Sequence, residues 1–130
     1  MTQDIQDAAP TADDLDLPHR LIASNRVDGT AVYNRAGEKL GRIEYFMVDK
    51  ITGQAEYAVM SFGGLFGFGD NHYPLPWDML DYDPDKGGYA VDLDRERLKA
   101  GPSFRAGESP DFDRAYGRTV YDYYGVIHSW

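Results

Sequence analysis

Gly64 and Gly69 stand at the spacing that opens a phosphate-binding loop, G-x-x-x-x-G, within the stretch Ser61-Phe-Gly-Gly-Leu-Phe-Gly-Phe-Gly-Asp70. That chemistry requires a Lys for the phosphates, a Ser or Thr for magnesium, and a helix whose first amides face the anion. Asp70 and Asn71 occupy those positions instead, and Tyr73-Pro74-Leu75-Pro76 cannot start a helix, because alternate prolines remove donors and hold their neighbours extended. A dinucleotide fingerprint fails as well, since Gly67 and Gly69 are followed by His72 where a third glycine is needed. Nucleotide binding is therefore not expected of this stretch.

The remaining chemical candidates are carboxylates and histidines. Asp81, Asp83 and Asp85 imitate the first three ligands of a calcium loop, but Lys86 stands where that loop needs glycine, Asp92 where it needs a bidentate Glu, and Pro84 stiffens the approach. A polar hairpin turn before Tyr89 is the expected reading, with a calcium-responsive module using residues 81–92 as an alternative. His19, His72 and His128 are far apart in sequence, and no nucleophile, base and orienting group converge. No catalytic residue, metal ligand or cofactor is assigned, and the chain is expected not to be an enzyme; a site between the main domain and the C-terminal extension is the enzymatic alternative.

Charge and composition narrow the classes further. The formal net charge is −9 and the pI near 4.6, which disfavours a nucleic-acid partner, since phosphate backbones require clustered Lys and Arg. The 130 residues contain no cysteine, so disulfides, thiolate zinc sites and cysteine nucleophiles are excluded. The opening residues carry acid where a signal peptide needs base, and no run approaches the ~20 apolar residues of a membrane span. A soluble, cytoplasmic protein is the expectation.

The elements that must position any site are mostly short strands. Residues 1–18 hold five Asp, two Pro and no Lys or Arg, a composition expected to stay disordered as an acidic tail. Beyond it, Thr30 to Tyr33, Lys39 to Asp49, Ala55 to Phe62, His72 to Pro76 and Tyr89 to Leu93 read as strands, separated by turns at Asn34–Gly37, Lys50–Gly53 and Asp83–Gly88. Both faces of Lys39 to Asp49 mix polar and apolar residues, which predicts a bend or bulge. Ala55 to Phe62 is apolar on both faces and predicts a central strand. Asp94 as N-cap, with Gly101 and Pro102 as stop, predicts a short helix. Phe112, Tyr116, Val120 and Tyr123 or Tyr124 then recur at helical spacing up to Gly125, predicting a C-terminal helix that packs its aromatic face on the main domain or on a second copy.

Five pieces taken in order carry a resemblance: Leu21-Ile-Ala-Ser24, Val32-Tyr33 with Gly37-Glu-Lys-Leu-Gly41-Arg-Ile43, Asp49-Lys-Ile-Thr-Gly53, the glycine stretch running into Pro76-Trp-Asp-Met-Leu80, and Leu98-Lys-Ala-Gly-Pro-Ser-Phe104. Together they resemble the PRC-barrel family, over about residues 20 to 104. The resemblance implies a mainly β fold, a small antiparallel barrel over 19–104 with a short helix, followed by a helical extension over 105–130. It also implies an adaptor role in larger assemblies, with no particular partner carried over. Pro74 departs from the apolar strand usual in the family at this point and predicts a sheet edge or a bulge.

Apolar side chains are therefore the functional lead. Leu65, Phe66 and Phe68 lie among glycines in a loop, and Tyr121, Tyr124 and Trp130 in the extension, each group able either to fold back or to meet another chain. The expectation is a non-catalytic protein-interaction module with these six as candidate contacts, its partner unspecified and a homodimer among the candidates.

Overall fold

The computed structural model describes residues 21–62 and 71–127. These form a mainly β domain: α1 (Ser24–Val27), β1 (Ala31–Tyr33), β2 (Lys39–Val48), β3 (Ala55–Phe62), β4 (Asn71–Pro76), a single 3-10 turn at Trp77–Met79, β5 (Asp81–Asp83), β6 (Gly88–Ala90), α2 (Arg95–Ala100), β7 (Phe104–Arg105) and α3 (Arg114–Tyr124). The strands make one sheet in the order β5-β6-β1-β2-β3-β4-β7. β1 to β4 form an antiparallel meander, as closely spaced turns dictate. β6 returns to the free side of β1 and runs parallel to it, a departure from the antiparallel expectation. Four further strands and their connections separate β1 from β6, and a parallel pair requires a long crossover connection of this kind. The end strands β5 and β7 are not paired with each other, so the sheet as described does not close.

β2 has irregular pairing along both edges. Its register with β1 shifts between Val32 and Tyr33, and its register with β3 shifts once between Ile43 and Tyr45 and again between Met47 and Val48. These bulges explain the mixed faces in the sequence: each inserted residue flips the alternation, so Leu40 and Ile43, three apart, are both fully buried. In the last shift Met47 faces Tyr57 and Val48 faces Ala55, leaving Glu56 as the extra residue on β3.

β3 is an interior strand with Tyr57, Ala58, Val59 and Met60 all buried, because both of its faces are covered. Pro74 and Pro76 are two apart and lack donors on the same side of β4, so β4 keeps an unbroken register with β3. On its other side β7 pairs only with Asn71 and His72, short of both prolines. Pro74 thus marks an edge and no bulge.

α3 packs across β4 and shares one core with the sheet: Val120, Tyr121 and Tyr124 belong to the same buried cluster as Val32, Ile43, Met60, Leu75 and Leu98. Both α2 and α3 are capped by aspartate. Asp94 accepts from the Arg97 amide at 2.7 Å and Asp113 from the Tyr116 amide at 2.9 Å. α3 stops at Gly125, whose φ of 70° is the left-handed conformation that glycine adopts without penalty. The two helices clasp each other, with the Tyr123 hydroxyl donating to the Arg97 carbonyl at 2.7 Å and the Arg97 guanidinium donating to the Tyr123 carbonyl.

Candidate functional site

The bulge at Glu56 is where the extension is tied to the sheet. Off the regular ladder, the Glu56 carbonyl accepts the Tyr121 hydroxyl at 2.8 Å. Around that bond the Tyr57 ring meets Phe112 at 5.2 Å and Tyr121 at 5.7 Å between centroids, and Phe112 meets Tyr116 at 5.4 Å. Edge-on and tilted aromatic pairs of this kind contribute about 0.5–1.5 kcal/mol each beyond their burial. Burial makes the Tyr57 and Tyr116 hydroxyls reluctant to ionise and pushes each up to about 12, with the Glu56 and Asp113 carboxylates adding to the effect at Tyr57.

Between this aromatic contact and the β2–β3 hairpin lies a groove of about 370 Å³. Met47, Val48, Tyr57 and Phe112 supply its apolar surface, and Asp49, Glu56, Asp113 and Arg114 its polar one. Val48 is 44% exposed and Ile51, at the tip of the same hairpin, 90% exposed, so the hairpin that forms one wall carries uncovered apolar side chains. The carboxylates are held by their own backbone. Asp49 accepts from the amides of Ile51 at 2.8 Å and Thr52 at 3.1 Å, which lower its pKa, and Asp113 caps α3. Glu56 has the opposite displacement: partial burial raises its pKa, and the charges of Asp49 and Asp78 raise it further. No ion pair among the described residues neutralises this rim.

A second polar group lies at the other end of the β3–β4 pair. Arg42 Nε stands 3.1 Å from Glu44 Oε2, and Ser61 is also hydrogen-bonded to the Glu44 carboxylate. Burial works against ionisation of Glu44, but Ser61, Arg42 and the nearby His72 outweigh it and hold its pKa below the ordinary value. His72 sits between Tyr45 and Phe104, 6.0 and 5.7 Å away, with Nδ1 buried and unpartnered. Nucleophilic catalysis would need a base on the serine hydroxyl. Here Ser61 is engaged by a partly exposed carboxylate of weakened basicity, and the arrangement is that of a polar clamp near the surface.

The candidate residues from the sequence are distributed as follows. Tyr121 and Tyr124 are 3% and 8% exposed and packed within the chain's own core, where they hold α3 down. Leu65, Phe66, Phe68 and Trp130 lie outside the described residues, as does the acidic tail of residues 1–18. Asp81, Asp83 and Asp85 form a hairpin: the Asp81 carboxylate pairs with Arg35 at 3.4 Å, and that of Asp83 accepts the Asp85 amide at 3.0 Å. Among the described residues no three His, Asp or Glu side chains are gathered to hold a metal, and no helix is long and apolar enough to cross a membrane. Met47, Val48, Glu56 and Asp113 were not singled out in the sequence; the one hint was the mixed patterning of β2, which forecast an irregularity without locating a groove.

A family model described as the PRC-barrel domain matches residues 19–98. No curated protein matches the chain.

Proposed function

The chain belongs to the PRC-barrel domain family, and from that premise we propose that it is a non-catalytic, PRC-barrel-type protein-contact module that receives its partner in the groove between the β2–β3 hairpin and the start of α3. The groove itself carries this reading: it sets apolar Met47, Val48, Tyr57 and Phe112 beside polar Asp49, Glu56, Asp113 and Arg114, and the hairpin that forms one wall exposes Val48 and Ile51. A volume of about 370 Å³ suits one protruding side chain of another protein. The family's adaptor character, implied by the resemblance, points the same way.

The test compares the full chain with Val48→Glu, an exposed position whose substitution leaves the core untouched. Each is tagged, cross-linked in lysate of its native host and recovered, and melting curves establish that the variant folds. Proteins retained by the wild type and lost with the variant support the reading. Retention of nothing above background, or of the same proteins by both chains, refutes it.

A further inference from the structure

The groove also specifies what kind of partner fits it, an inference that rests on the docking reading above. Asp49, Glu56 and Asp113 line it against the single cation Arg114 among its lining residues, and Asp78 adds its charge at Glu56. The two carboxylates on the turn and the helix cap are bonded to backbone amides, which fix them in place, and the Thr52 and Ile51 amides lower the pKa of Asp49. Glu56 is in the reverse condition, partly buried beside like charges with no cation to relieve it. A ligand that brings positive charge to this rim gains attraction to three carboxylates and removes that repulsion; a neutral or acidic ligand does neither.

This excludes the occupants nearest to hand. Residues 1–18 carry five Asp and no Lys or Arg, and would set acid against acid. A second copy brings a net charge of −9, and its apolar glycine stretch ends in Asp70. We propose that the groove takes a segment of a different protein that inserts one aliphatic or aromatic side chain among Met47, Val48, Tyr57 and Phe112 and flanks it with Lys or Arg directed at Asp49, Glu56 and Asp113.

The experiment is selection of a randomised displayed peptide library on the full chain, followed by affinity measurement of the enriched peptides. Enrichment of an apolar residue within two positions of Lys or Arg is the expected outcome. The double variant Glu56→Gln, Asp113→Asn neutralises two rim charges while Asn keeps a capping side chain. It should weaken these peptides by about tenfold at low salt and by much less at high salt, and Val48→Glu should abolish their binding. Peptides lacking cations that still lose binding with Val48→Glu would overturn the charge assignment and leave the docking reading standing. Cationic peptides indifferent to both variants would also overturn it, as would self-association of the chain that Val48→Glu abolishes. A library yielding no groove-dependent peptide would overturn both readings together.

Discussion

Gly101→Ala tests the seam between α2 and α3. Gly101 has φ −81° and ψ 179°, an extended conformation open to any residue, so alanine brings no backbone strain and its effect is steric. The added Cβ would lie 2.6 Å from the Tyr124 hydroxyl oxygen, 2.9 Å from Tyr123 Cε2 and 3.3 Å from Tyr124 Cζ. Neither ring gives way cheaply: Tyr124 is buried at 8% exposure, and Tyr123 is tethered through its hydroxyl to the Arg97 carbonyl. Overpacking of this order costs about 1–3 kcal/mol, and alanine returns about 0.4–1 kcal/mol by restricting the unfolded chain. A net loss of about 1–2 kcal/mol is expected in urea titrations followed by circular dichroism. The companion variant Tyr124→Phe removes a buried hydroxyl with no partner, and is expected to be neutral or to stabilise by up to about 1 kcal/mol. It also removes the atom closest to the new methyl group, so Gly101→Ala should cost less in the Phe background, with a coupling of about 0.5 kcal/mol or more. An alanine variant as stable as wild type, or a cost unchanged by Tyr124→Phe, would refute the docking of α3 at this seam.

Gly41→Ala should be far more damaging, because its Cβ would stand 1.9 Å from the Ser61 carbonyl oxygen on the paired strand; a loss of at least about 3 kcal/mol or failure to fold is expected, read from urea midpoint and soluble yield. Asp113→Ala should lower stability by about 1 kcal/mol while Asp113→Asn stays near wild type, since Asn also caps; equal loss in both would show that charge and not capping is at work. Stability should fall in alkali. Burial holds Tyr57 and Tyr116 up to about 12, and Tyr121 and Tyr124 are raised as well, whereas unfolded tyrosines ionise near 10. The unfolded state therefore binds fewer protons above about pH 10, so this stabilisation is complete below that pH and is lost on the way to about pH 12 and beyond; melting temperatures unchanged from about pH 9 to pH 11 would contradict it.

The parts of the fold legible in the sequence are those decided by neighbouring residues. Asp94 and Gly101 bracket α2, Gly125 ends α3, and the unbroken apolar run from Tyr57 to Met60 marks a strand covered on both faces. β5 and β7 carried no such signal: one is three residues with Asp at both ends, the other two residues, and each exists because a neighbouring strand offers free hydrogen bonds. The parallel pairing of β6 with β1 is likewise set by the path of the whole chain. Tyr121 shows the limit at the site. Its sequence surroundings suit an interface and a core equally, and what buries it is the Glu56 carbonyl, 65 residues away and released by a bulge.

That same bulge ties the anchor of α3 to the proposed docking groove. By taking Glu56 out of register it frees the carbonyl that anchors Tyr121, and it places Glu56 on the rim of the groove beside Tyr57. Anchoring Tyr121 fixes α3, and the start of α3 then brings Phe112, Asp113 and Arg114 to the groove's second wall. Residues 112–114 lie beyond residues 19–98, the span matched by the family. One wall of the groove thus comes from the shared domain and the other from the extension. Changes to the second wall would alter the shape and charge of the groove while β2 and β3 remain paired as before.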